Sequence, residues 1–120
     1  MDDEKIIRDV VTRMIKKLGY DVICVNNGEE AVSAYKKSLQ NNDRFDAVIL
    51  DLTVIGGSGG EKIIHRLKNY DQNVKAIVSS GYADNLILNN PQKYGFAGKI
   101  AKPYQLYELD KELANVIFSE

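Results

Sequence analysis

An α/β fold, with parallel strands in one sheet and helices on both faces, is what this sequence predicts. Three observations carry that expectation. Short β-branched runs at residues 22–25, 47–50, 74–78 and 98–101 alternate with amphipathic segments, and such alternation implies parallel strands joined by right-handed crossovers. The 120 residues, 44% apolar and 28% charged, have the size of one domain, large enough to fold without covalent staples. One cysteine, Cys24, and one histidine, His65, leave no intrachain disulfide, no cysteine-rich zinc site and no multi-histidine metal site.

The elements follow in order. Ile7, Val10, Val11, Met14, Ile15 and Leu18 recur at helical spacing, with Arg8, Asp9, Thr12, Arg13, Lys16 and Lys17 between them, so one apolar stripe faces a core. Gly19 follows as a C-terminal stop. Residues 22–25 read as a strand buried on both faces, and Asn26, Asn27 and Gly28 as a turn. Ala31, Val32, Tyr35 and Leu39 mark a second helix, and residues 40–44 a polar loop. Residues 47–50 form the most hydrophobic strand, ending at Asp51. A glycine-rich stretch at 56–60 precedes a third helix carrying Ile63, Ile64 and Leu67. The strand at 74–78 runs into Ser79, Ser80 and Gly81. A short helix around 84–89 is interrupted by Pro91. A weak strand at 98–101 ends at Lys102 and Pro103, and Leu106, Leu109, Leu113, Val116 and Ile117 give the last helix.

Charge and hydropathy exclude whole classes of function. The formal net charge of -1 argues against a nucleic-acid-binding domain, which usually carries a basic face. No apolar run approaches the roughly 18 residues of a membrane span, and no secretory segment follows Met1. A cytoplasmic protein is the expectation.

In an open parallel sheet, ligands bind beyond the carboxyl ends of the strands. Asp51, Ser80 and Lys102 each follow a strand, so a carboxylate, a hydroxyl and an ammonium converge on one edge. That set suits phosphoryl chemistry: the carboxylate attacks phosphorus while the ammonium and hydroxyl hold its oxygens. Asp2 and Asp3, with Asp51 and a backbone carbonyl, offer hard oxygen ligands for Mg²⁺ or Mn²⁺.

These residues resemble the receiver domain of two-component response regulators. The resemblance is carried by Asp2-Asp3-Glu4, Leu18-Gly19-Tyr20-Asp21-Val22, Asn27-Gly28-Glu29-Glu30-Ala31, the run from Ala47 to Thr53, Ser79-Ser80-Gly81-Tyr82 and Ala101-Lys102-Pro103-Tyr104. The separations 80-51 = 29 and 102-80 = 22 also look like the family's. The run from Asp51 to Gly60 resembles receivers of hybrid sensor histidine kinases, which implies a kinase core in the parent protein. The resemblance implies a flavodoxin-like, doubly wound sheet over residues 1–120. It makes Asp51 the phosphoacceptor, Asp2 and Asp3 the metal-holding acidic pair, and Thr53 the residue whose carbonyl meets the metal. Ser80 becomes the switch hydroxyl and Lys102 its partner, with a cis bond before Pro103. The implied partner is a sensor histidine kinase or a histidine phosphotransfer domain, with signalling by a conformational shift to an unidentified output partner. It implies phosphotransfer and autodephosphorylation chemistry; whether that makes the chain an enzyme stays open.

Two features depart from the family. The family's first, central strand leads into the acidic pair, whereas only Met1 precedes Asp2. Unpaired backbone on both neighbouring strands costs about 1–3 kcal/mol per buried group. The expectation is a sequence N-terminally truncated relative to the family, neighbouring strands that close up to leave four, or a swapped homodimer that completes the sheet. The second departure is Lys99, which stands where the family commonly has an aromatic residue that turns between buried and exposed positions.

Competing readings are plainer. Asp2 and Asp3 also suit a helix N-terminus as simple charge. The glycine run lacks the ending of a phosphate loop and reads as a flexible loop. His65 reads as a surface or packing residue, Cys24 as a small buried apolar one, and Asn27-Gly28 as a turn only. A receiver-like interaction module that works without phosphorylation is the alternative from a different class. A phosphatase with an aspartate nucleophile is weaker, because the run Asp51-Leu52-Thr53 lacks a second aspartate.

Overall fold

In the computed structural model, residues 1–52, 59–81 and 86–118 are described. The elements are α1 (Lys5–Lys17), α2 (Gly28–Gln40), β1 (Val48–Asp51), α3 (Gly60–Tyr70), β2 (Ala76–Ser80), α4 (Leu86–Asn89), β3 (Gly98–Ala101) and α5 (Leu106–Ile117), with a 3₁₀ turn at Pro91–Tyr94. The three strands are parallel in the order β1-β2-β3. Val48 pairs with Ala76 and Asp51 with Ser79, and Ile77 pairs with Gly98 and Ser80 with Ala101. The strand tips carrying Asp51 and Ser80 therefore lie at the same edge.

Side-chain alternation along β2 divides the core in two. Ala76 and Val78 pack with Leu50, Ala31, Val32, Tyr35, Ile63, Ile64 and Leu67, from α2 and α3. Ile77 faces the other way, with Val11 and Ile15 of α1 and Leu109, Leu113 and Val116 of α5. Helices cover both faces, as the alternating pattern requires. Every residue of β2 is buried, which explains why Ala76, Ile77 and Val78 are apolar without alternation. The Cα radius of gyration is 13.0 Å, against about 14 Å expected for this length.

The helix ends have local causes. Gly19 follows α1 at φ +95°, a conformation that glycine adopts without steric cost. Asn27 is more than a turn residue. Its side chain accepts the Glu30 N–H at 2.9 Å while Glu30 Oε2 accepts the Asn26 N–H at 3.0 Å, so the pair caps α2 much as a capping box does. Gly60, from the glycine run, opens α3. A Cβ there would lie 3.0 Å from the Asp51 carbonyl oxygen and 3.2 Å from Leu50 Cβ. Glycine thus lets the start of α3 press against the tip of β1; the rest of the run, residues 56–58, lies outside the described residues.

One strand expectation is corrected. Residues 22–25 join no ladder among the described residues. Among the described residues Met1 and Asp2 lie between them and β1, and two residues are too few to build a paired strand. The Asp2 N–H donates to the Val25 carbonyl at 3.2 Å, the Met1 ammonium donates to the Ile49 carbonyl at 2.7 Å, and the Asp51 N–H donates to the Met1 carbonyl at 3.0 Å. Met1 and Asp2 thus bridge the 22–25 segment and β1 at their carboxyl ends. Cys24 is also corrected: it is half-buried rather than buried, with Sγ 2.8 Å from Thr12 Oγ1 and 3.7 Å from the Arg8 carbonyl. His65 and Lys99 are exposed.

Candidate functional site at the carboxyl edge of the sheet

Each strand delivers its polar terminus to one edge. Asp51 is the last residue of β1 and is buried. Lys102 directly follows β3, and its N–H donates to the Ser80 carbonyl at 2.9 Å, so backbone pairing to β2 sets where its side chain begins. The Lys102 ammonium lies 2.6 Å from Asp2 Oδ2 and 3.2 Å from Asp51 Oδ1. Side-chain exposures of 15%, 6% and 5% for Lys102, Asp2 and Asp51 place this triad out of bulk water, where charge interactions outweigh those of surface pairs. Burial alone lowers the Lys102 pKa, but the carboxylates of Asp2 and Asp51 overcome it and hold the ammonium above its ordinary value.

Asp2 is anchored from several sides. Its Oδ1 accepts the Glu4 N–H at 3.0 Å, and its carbonyl accepts from the Arg8 guanidinium at 2.9 Å. Its Oδ2 is buried against the Lys102 ammonium. Carboxylate oxygens of Asp2, Asp3 and Glu4 come within 4.8 Å of one another. A buried carboxylate within a set of hard oxygen donors fits a Mg²⁺-sized cation.

The structure therefore brings Asp2, Asp51 and Lys102 together, with Asp3 alongside Asp2. Ser80 is buried at the tip of β2 and meets Lys102 through its backbone. Thr53 lies outside the described residues. The Lys102–Pro103 bond is cis, as the resemblance implied. One polar contact was not anticipated: the hydroxyls of Ser79 and Tyr104 share a hydrogen bond. Burial, chiefly, pushes the Tyr104 phenol up to about 12, so it stays protonated and able to donate. The alternation of β2 contained the signal, since Ser79 shares the face of Ile77 while Ser80 does not.

A buried carboxylate at the tip of β1, clamped by a lysine that follows β3, defines a receiver-type site. The chain belongs to the response regulator receiver domain family, whose model matches residues 1–114. It is 28% identical over 109 residues to the sporulation initiation phosphotransferase F of Bacillus subtilis (strain 168), covering 91% of this chain and 83% of that protein. It is 27% identical over 114 residues to the transcriptional regulatory protein CrdR of Helicobacter pylori, covering 94% of this chain and 51% of that one; the chain thus spans about half of that regulator. The receiver domain of the sensor histidine kinase PA1611 from Pseudomonas aeruginosa PAO1, a structure with magnesium coordinated in its active-site cleft, superposes with a TM-score of 0.84 at 24% identity, covering 99% of this chain and 94% of that one. The receiver domain of NtrX from Brucella abortus gives a TM-score of 0.85 at 20% identity, with 99% and 96% covered. The fold is the flavodoxin-like one that the sequence predicted. No helix among the described residues is long and apolar enough to cross a membrane.

Proposed function

We propose that this chain is a phosphoacceptor. A phosphohistidine on a sensor histidine kinase or a histidine phosphotransfer domain gives up its phosphoryl group to Asp51. The observation that carries the reading is the Lys102 ammonium 3.2 Å from Asp51 Oδ1, because it places a fixed cation beside the attacking oxygen. An Asp51 carboxylate oxygen forms the new P–O bond while the P–N bond of the phosphohistidine breaks, and the imidazole nitrogen leaves with the electron pair and takes up a proton. Lys102 stabilises the charge gathering on the phosphoryl oxygens, and its backbone tie to Ser80 pre-sets its position. Asp2 and Asp3, with Asp51, would hold a divalent cation, Mg²⁺ foremost, which supplies positive charge that reduces repulsion between the carboxylate and the phosphoryl group. The magnesium in the Pseudomonas relative supports this reading. Residues 1–120 act as one receiver unit, Ser80 is its switch hydroxyl, and a hybrid kinase is the parent suggested by the run from Asp51 to Gly60.

A small acyl or amido phosphate donor tests the reading, with intact mass as the readout. With Mg²⁺, the native chain should gain one phosphoryl group and Asp51→Asn should gain none. An unmodified native chain, or a gain that persists in Asp51→Asn, would refute it.

A second reading, an interaction module that works without phosphorylation, draws on the contact of 2.6 Å between Lys102 and Asp2. The lysine there already supplies positive charge to the acidic pair. Replacing Lys102 by methionine separates the two readings. A phosphoacceptor loses most of its phosphorylation rate, whereas a module that uses another face keeps its partner binding.

A further inference from the structure

Between the end of β3 and the start of α5 the chain leaves the sheet while keeping the Lys102 ammonium on Asp51. One backbone anchor holds it there, the Lys102 N–H on the Ser80 carbonyl at 2.9 Å. Pro103 comes next and has no N–H to donate. A single hydrogen bond fixes a point rather than an orientation, and the long lysine stem would carry any swing of the backbone out to the ammonium.

A second anchor comes from Tyr104, whose hydroxyl shares a hydrogen bond with that of Ser79. Ser79 is fully buried in β2, directly before Ser80. The tyrosine ring packs against the cluster of Ile77, Ile100, Leu109 and Leu113, and its phenol senses the charges of Lys102, Asp2 and Asp51. The two anchors therefore grip adjacent residues of β2, one through backbone and one through a side chain. A phenylalanine would supply the same packing. Replacing both members of a buried hydroxyl pair by apolar groups is close to neutral for stability. What the pair adds is direction, which apolar contact lacks.

We propose that Tyr104 and Ser79 are positioning residues for phosphoryl transfer: their hydrogen bond orients the segment 102–104 so that the Lys102 ammonium meets Asp51. This role rests on the phosphoacceptor reading for its effect on rate, and on geometry alone for its effect on the backbone. Tyr104 acts through Lys102 and not on the reacting atoms. Misplacing a catalytic group by about 1 Å can cost about a hundredfold in rate. With the Ser80 anchor still in place, losing the second one should cost about tenfold.

The test compares the native chain with Tyr104→Phe and with the double variant Tyr104→Phe/Ser79→Ala. The single change strands the buried Ser79 hydroxyl and should lower Tm by several degrees. The double variant removes that hydroxyl as well and should recover most of the loss. It should nevertheless accept phosphoryl from a small acyl phosphate with Mg²⁺ about tenfold more slowly than the native chain. Its Lys102 amide should also exchange hydrogen about tenfold faster, with the amides of residues 76–78 at their native rates. Native behaviour of the double variant in either readout would overturn the proposal. An unchanged amide would mean that the pair does not orient the segment, and an unchanged rate that the orientation is not needed. A native chain that takes up no phosphoryl group would sink the phosphoacceptor reading instead, and the Lys102 amide would still decide whether the pair orients the segment.

Discussion

The two sides of the sheet are built to different standards. On one side β2 is paired along its length by β1 and β3, and all five of its residues are buried. On the other, the link from β1 to the 22–25 segment consists of Met1 and Asp2 with three backbone hydrogen bonds. Both sides deliver a residue to the same site: Lys102 comes from the well-paired side and Asp2 from the thin one. The lysine's position is therefore set by a continuous ladder, and that of the Asp2 carboxylate by a two-residue bridge. Phosphoryl stabilisation and cation affinity should respond differently to the same perturbation.

Paired truncations expose the difference. Val78→Ala, at a fully buried position of β2, should cost about 2–3 kcal/mol from lost methyl burial and the cavity left behind. Urea unfolding reads this as a lower midpoint at unchanged slope. A loss below about 1 kcal/mol would mean that β2 is not the organising strand. Gly60→Ala comes next, at about 1–3 kcal/mol, because its Cβ meets the Asp51 carbonyl oxygen at 3.0 Å. It should also slow phosphorylation by displacing the β1 tip, and a fully active Gly60→Ala chain would show that the close approach is not needed.

A smaller effect comes from the link between α2 and the loop after α3. The Tyr35 hydroxyl donates to Asp71 Oδ2 at 2.7 Å, and Arg44 pairs with the same oxygen at 3.3 Å. Burial alone would raise the Asp71 pKa, but Tyr35, the Asn73 N–H and Arg44 outweigh it and hold it below the ordinary 3.8. The stability it contributes is thus fully present above pH 3.8 and is lost as pH falls through the lower folded value. Tyr35→Phe should cost about 1 kcal/mol at neutral pH and flatten the acid limb of the stability profile; an acid limb as steep as the native one would place the effect elsewhere. The smallest effect belongs to Val22→Ala, the Val78→Ala change moved to the thin side. Half-buried and outside any ladder, it should cost less than about 1 kcal/mol. A cost equal to that at Val78 would remove the contrast between the two sides.

The same contrast explains what could be read from the sequence. The stripe of α1, the strand at residues 47–50 and the final helix follow from periodicity, because each buries one face against a partner that exists. The meeting of Asp51 with Lys102 was legible because a parallel sheet sends every strand terminus to one edge. Residues 22–25 have the composition of a strand, but pairing depends on a neighbour, and composition does not count the neighbour's residues. Asn27 as a cap was readable from Glu30 three positions on. The alternation of β2 puts Ser79 on the face of Ile77 without naming Tyr104 as its partner, and the role of Gly60 depends on a distance between elements that no local pattern encodes.

The most direct measurement locates the phosphoryl group itself. Reducing the phosphorylated chain with borohydride converts an acyl phosphate to an alcohol, and peptide mapping then identifies the residue. A single modified position at Asp51, with none at Asp2 or Asp3, is the predicted result. Label on either of those carboxylates, or on no carboxylate at all, would contradict the assignment of the nucleophile.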